Sequence, residues 1–213
     1  MIRLAVSVEG QTEEEFVKRI LAHHLRPRQI EPTPILLGRA RGTSHGGNVS
    51  TDRIVRDMVA LLATYDAVTS LVDYYGFRDK GDKTVEDLEK SLRNRVLERV
   101  NADWYSARVV PYVQRHEFEA LLFSDVQVFA NQIEFPSECI GALKAVRGQF
   151  TTPEDINDHP ETAPSKRIAH IIPRYKKVLH GPKLADQIGL DRIRAVCPRF
   201  NAWISHLESM GAK

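Results

Sequence analysis

The chain has 213 residues, of which 42% are hydrophobic and 27% charged, the make-up of an ordinary globular protein with one sizeable domain or one domain plus a helical extension. Its 30 basic and 28 acidic side chains leave a formal net charge of +2, which excludes a generally polybasic surface while leaving room for a local basic patch. No stretch approaches the ~18 apolar residues of a membrane span, and the first apolar run stops at Glu9, too short for a secretory signal.

The run Ile2 to Val8 (IRLAVSV) is rich in β-branched and aliphatic residues and predicts a strand. Gly10 breaks it. Thr12 then reads as an N-cap, with Glu15 completing a capping box, and Phe16, Val17, Ile20, Leu21 and Leu25 recur at helical spacing. A short second strand is expected at Pro34 to Leu37. The following stretch, 39–50, is rich in Gly, Ser and Arg and predicts a loop. Asn48, Ser50 or Thr51 would cap the next helix, whose apolar face carries Ile54, Val55, Met58, Val59, Leu61 and Leu62.

Ala67 to Val72 predicts a third strand ending at Asp73. After the polar loop 77–83, residues 84–100 form an amphipathic helix with Val85, Leu88, Leu92, Val96 and Val100 on one face. Ala107 to Val113 predicts a fourth strand, with Pro111 marking an edge or a distortion. The order β-α-β-α-β-α-β argues an α/β fold with a mostly parallel four-stranded sheet flanked by helices. Beyond His116 the pattern is helical and broken by Pro and Gly. We therefore expect an α/β domain over 1–125 and a helical C-terminal extension over 126–213 packed on it. Cys139 and Cys197 lack metal-ligand spacing and read as free thiols of a cytoplasmic protein.

Two strands end on an acid, Glu9 and Asp73. Ligands of open parallel sheets bind at the carboxyl ends of strands, and neighbouring strands lie ~4.8 Å apart, so two such acids can share one cation. Mg²⁺ is typically held by one or two carboxylates plus water and phosphate. Glu13, Glu14 and Glu15 have a simpler reading, since negative charge favours the first turn of a helix.

In HEFEALLF, read as an α-helix over 116–123, Glu119 falls inside an apolar arc of Phe118, Leu121, Leu122 and Phe123. A carboxylate there needs a cation or a metal, so Glu119 is a candidate third ligand, with a buried salt bridge as the alternative. His116 is a candidate ligand or proton carrier. Arg39 and Arg41 flank a Gly-rich loop that can approach phosphates, although it matches no phosphate-loop fingerprint. Ser165 reads as an N-cap. Lys166 and Arg167 then sit where the helix dipole disfavours cations, so a phosphate or an acidic partner should explain them. Arg174, Lys176 and Lys177 continue the basic character, as a nucleic-acid-facing patch or a solvated face. The segment 184–207 reads as helix and packing, with Trp203 and Phe200 among its core candidates.

VSVEGQTEEEFV, LVDYYGF and HEFEALLF together resemble Toprim-like domains. With TAPSKRI at 162–168 and CPRFNAWI at 197–204, nearly the whole chain is similar to a bacterial family of small stand-alone Toprim-like proteins. Their genes often lie beside an ATPase gene, in the style of overcoming-lysogenization-defect nucleases of phage defence. The resemblance implies a Rossmann-like sheet, with Glu9 in the place of the Toprim glutamate and Asp73 in that of the first Asp of DxD. Tyr75 stands where the second Asp belongs, and Asp79 and Asp82 lie too far along to be taken as its equivalent. The expected function is Mg²⁺- or Mn²⁺-dependent phosphodiester cleavage of DNA or RNA. Glu9, Asp73 and Glu119 would hold the metal, Lys166 or Arg167 would offset phosphate charge, and Arg39, Arg41, Arg174 and Lys176 would contact nucleic acid. The alternative is a non-catalytic partner of an ATPase.

Overall fold

Strand β1 (Ile2–Val8) is built from the residue types that favour a pleated surface, and Leu4, Ala5, Val6 and Val8 are completely buried. Both faces of β1 are therefore covered, as a central parallel strand requires. The computed structural model describes residues 1–37, 49–101, 105–132, 134–157 and 160–211. Within them the chain forms two compact units, Met1–Gln114 with Trp203–Lys213, and Arg115–Ala202. This division differs from the expected one in two places. It falls before the apolar run at 118–124, and the last residues return to the first unit.

The first unit carries the sheet. Strand β2 (Ile30–Leu36) pairs with β1 in parallel, in register Val8↔Leu36, and β3 (Ala67–Asp73) pairs with the other side of β1, in register Val8↔Leu71. The order is β2-β1-β3-β4, with β4 (Val109–Val110) and β5 (Val113–Gln114) both parallel to β3. The expected single fourth strand is thus two short ones. Pro111 has no N–H for the ladder, and Ser70 takes over: its Oγ donates to Tyr112 O (2.9 Å) and accepts from Tyr112 N (3.1 Å). The second strand begins four residues earlier than expected.

Helices α1 (Gln11–Phe16) and α2 (Ala22–Leu25) are joined by a π-helical turn, Val17–Leu21. The cap differs from expectation: Gly10 is the N-cap, and Glu13 rather than Glu15 reaches back to it, accepting from Gly10 N at 3.0 Å. Glu15 is instead paired with Arg19 at 2.9 Å. Helix α3 (Thr51–Leu61) begins at Ser50, whose Oγ accepts from Arg53 N. Helix α4 (Val85–Val100) begins at Thr84 with a reciprocal capping box to Asp87. Ile54, Val55, Met58, Leu88, Leu92 and Val96 share one core with Ala5, Val68, Val72, Val109 and Val113 of the sheet. Trp203 closes this unit by sequence-distant contact: its Nε1 donates to Thr69 Oγ1 at 2.8 Å, and its ring stacks on Tyr112 at 4.6 Å.

The second unit is helical. Its centre is a 3₁₀ stretch, Phe118–Ser124, in which all seven residues are buried. Around it lie α5 (Cys139–Arg147), α6 (Pro164–Ile171), α7 (Lys177–Ile188), α8 (Leu190–Val196) and the start of α9 (Pro198–Ser209). The α-helix expected at 116–123 is therefore a tighter 3₁₀ helix. A helix enclosed on every side has no solvent face for a period to mark. Cys139 and Cys197 are free and buried.

Candidate functional site

In the first unit, Glu9 follows β1 and Asp73 ends β3, at the carboxyl ends of adjacent parallel strands. Asp73 is 8% exposed, and Glu9 is half-buried. The Glu9 carboxylate lies directly against the turn that follows β3. A Cβ placed on Gly76 would sit 3.0 Å from Glu9 Cδ and would collide with Oε2. Glycine at 76 is what lets the two strand-end segments approach.

The turn is held in place from several sides. Val49 N donates to Gly76 O (3.1 Å), and Arg78 N donates to Val49 O (3.2 Å). Lys80 donates to Phe77 O and lies 5.0 Å from the centre of the Tyr74 ring. Asp79, a distant alternative for the second acid of the motif, serves a helix. It accepts from Thr51 N at 3.0 Å and from Thr51 Oγ1 at 2.7 Å, so it caps the start of α3. Burial pushes the Asp79 carboxyl up, but these hydrogen bonds outweigh it and the net shift is down. Among the described residues, no group of three or more His, Cys, Asp or Glu side chains is arranged to hold a metal. Arg39 and Arg41 lie outside the described residues.

In the second unit, Glu119 is fully buried, and its expected isolation in an apolar face is answered by a cation. Lys177 Nζ is 3.0 Å from Oε2, and Tyr175 Oη donates to Oε1 at 3.3 Å. Glu117 accepts from Ser165 N at 2.9 Å, at the first turn of α6. The α6 N-cap is Ala163 with Pro164 at the first helical position, so Glu117 satisfies the terminus that Ser165 was expected to cap. Arg167 is explained by structure: Nε donates to Thr162 O at 2.7 Å, and the guanidinium lies 5.4 Å from the centre of the Phe150 ring. Lys166, Arg174 and Lys176 are exposed. His116 has left-handed backbone at φ 66°, and its Nδ1 lies 3.5 Å from Asn157 Nδ2.

A pair that the sequence did not single out is His180 with Glu134. His180 is 2% exposed; Nδ1 accepts from Lys176 N at 2.8 Å, which leaves the Nε2 proton facing Glu134 Oε1 at 2.7 Å. The partners are far apart in the chain and carry no local motif. The only sequence signal was the density of titratable residues around the start of α7.

A family model described as Domain of unknown function (DUF4276) matches residues 8–208. The chain belongs to this family. A search of the curated proteins found no match. Among solved structures, this DUF4276 chain is similar to the C-terminal region of the Burkholderia pseudomallei OLD protein, at 19% identity and TM-score 0.50, covering 99% of this chain and 96% of that one. The C-terminal region of the Xanthomonas campestris pv. campestris OLD protein matches at 17% identity and TM-score 0.48, with 97% and 95% covered. The Burkholderia likeness extends through the helical part of the DUF4276 chain as well as its sheet, and it is a likeness of fold. No helix among the described residues is long and apolar enough to cross a membrane.

Proposed function

We propose that this protein is a metal-dependent phosphodiesterase of Toprim-like type acting on nucleic acid. One observation carries the reading: Glu9 and Asp73 stand at the carboxyl ends of adjacent parallel strands, with Gly76 making room for the Glu9 carboxylate. Ligands of open parallel sheets bind at such an edge. Two carboxylates suit Mg²⁺ or Mn²⁺, which are held by few protein ligands and keep water and phosphate as the others. When bound, such a cation polarises a phosphoryl oxygen and lowers the pKa of water. Glu9 and Asp73 would fix its place, and the α3 and Val49 contacts would hold the turn that shapes the edge. The fold likeness to the C-terminal region of an OLD protein supports the resemblance from which this function was expected.

Exposed Lys166, Arg174 and Lys176 would contact nucleic-acid phosphates from the second unit. Arg167 would hold the Thr162 and Phe150 segment rather than a phosphate. Work in the cytoplasm, with an ATPase partner and in phage defence, belongs to this same proposal.

The test is turnover of single- and double-stranded DNA and RNA with Mg²⁺ or Mn²⁺. Wild type should cleave at least one of them, and Glu9→Gln or Asp73→Asn should each lower the rate by roughly 100-fold. The use of Asp79 as a helix cap favours a second reading, a nucleic-acid-binding subunit without catalysis. Binding without cleavage by wild type, in either metal, would select it.

A further inference from the structure

Gly76, packed against the Glu9 carboxylate, opens a polar loop that folds back on the turn it leaves. Lys83 N donates to Lys80 O at 3.2 Å, and Gly81, at φ 57°, supplies the left-handed residue of this reversal. Tyr74 Oη donates to Lys83 O at 2.6 Å, which ties the far end of the loop to the residue after Asp73. Half-buried Lys80 returns to the same place. Its Nζ donates to Phe77 O at 3.1 Å and lies 5.0 Å from the centre of the Tyr74 ring and 6.0 Å from that of Tyr75. The ammonium group is thus fixed against the residue that follows Gly76.

We propose that Lys80 binds a phosphate of the nucleic-acid strand beside Glu9 and Asp73. The proposal rests on the nucleic-acid reading above and adds a residue to it. Among the described residues, the contacts of Lys80 are with neutral groups, one carbonyl and two aromatic rings. Such groups set the position of an ammonium without cancelling its charge. Phe77 O takes one of its three protons, which leaves two for an anion.

The loop around it favours the same ligand. Residues 77–83 carry three basic and two acidic side chains, and one of the acids, Asp79, is turned to Thr51 at the start of α3. The segment 38–48, outside the described residues, contains no Asp or Glu. A cation placed beside a metal-binding edge offsets charge on phosphoryl oxygens that the metal alone does not cover. From sequence this role was expected of Lys166 or Arg167, which belong to the second unit. Lys80 belongs to the unit that carries the acids.

Fluorescence anisotropy of the full chain with a labelled short oligothymidylate, in EDTA and over a salt series, tests the contact without requiring cleavage. Wild-type affinity should fall as salt rises. Lys80→Met, which keeps an apolar stem against the tyrosines, should lower the log–log salt slope by about 0.7 and weaken binding about five-fold at low salt. Lys80→Arg should recover most of both. Should Lys80→Met fold poorly, acetylation of wild type reads the same contact: bound oligothymidylate should shield Lys80 from modification, as measured by mass spectrometry. Absence of binding by wild type, a Lys80→Met slope equal to wild type, or acetylation of Lys80 unaltered by the oligonucleotide would overturn the proposal. The two readings fail separately. Binding with the Lys80 signature but no cleavage in Mg²⁺ or Mn²⁺ would remove the cleavage reading alone, and cleavage with an unaltered Lys80→Met slope would remove the Lys80 contact alone.

Discussion

At the scale of single residues, Gly76 is the position most tightly tied to the strand-end acids. No side chain fits between it and the Glu9 carboxylate. Gly76→Ala should push that carboxylate aside, cost about 1–3 kcal/mol through overpacking, and weaken Mn²⁺ binding with it. Calorimetry paired with thermal unfolding checks both effects together. An alanine variant that melts and binds like wild type would show that Glu9 has freedom the structure denies it.

A second residue-scale expectation concerns Asp66. Hydrogen bonds from the Arg3 side chain and backbone bring its carboxyl down to about 2. The sign follows from this depression. The contact's stabilisation is fully present above the unfolded carboxylate pKa of about 3.9 and is lost as pH falls through about 2. The Asp66 side chain is 32% exposed and that of Arg3 59%, so the effect is small and salt-screened. A ¹³C carboxyl titration should place Asp66 near 2 in wild type and closer to the ordinary range in Arg3→Ala. An unmoved midpoint in that variant would remove Arg3 as the cause.

At the scale of elements, Glu119 shows how a local reading can find a residue and still misplace its surroundings. An acid among Phe118, Leu121, Leu122 and Phe123 is visible in the sequence, and burial follows from it. An apolar arc at 100° per residue implies an α-helix with one buried face. The chain forms a 3₁₀ stretch buried on all sides, which no period can announce. The partner, Lys177, was visible only as one of several basic residues, because pairing across elements is a property of the packed fold. Breaking this pair leaves a cation beside a buried site. Because Lys177 is 39% exposed, Glu119→Gln should cost about 2 kcal/mol rather than the larger figure of a fully buried pair. Denaturant unfolding would measure it, and an unchanged midpoint would mean that Tyr175 and water suffice to hold the start of α7.

The strands follow the same division between local and distant causes. β1 and β3 were readable because β-branched runs ended at Gly10 and at the polar turn after Asp73. β4 and β5 were not separable, since the break at Pro111 is bridged by Ser70, a residue of another strand. The cap of α3 was narrowed by sequence to Asn48, Ser50 or Thr51, and the chain uses Ser50; Thr84, read as the first residue of its helix, is the N-cap of α4. At Gly10 the sequence offered Thr12 and Glu15 as an equally good box, and the chain uses the earlier one.

At the scale of the whole molecule, the alternation of strands and helices was enough to give a parallel α/β sheet and a helical remainder. The closing of the first unit by Trp203 was not foreseeable, because its contacts with Thr69 and Tyr112 lie far away in the chain. The candidate site divides likewise. Glu9 and Asp73 could be found from strand ends alone, whereas the room that Gly76 makes for the Glu9 carboxylate shows only in the fold.

A metal centre at the ends of β1 and β3 requires Glu9 and Asp73 to act together, and calorimetric titration of Mn²⁺ into wild type, Glu9→Gln and Asp73→Asn tests that most directly. We predict saturable binding to wild type that weakens about ten-fold or more in each variant, the size expected when one ligand of a small carboxylate set is lost. Absence of saturable binding to wild type, or binding equal to wild type in both variants, would contradict a metal centre at the ends of β1 and β3.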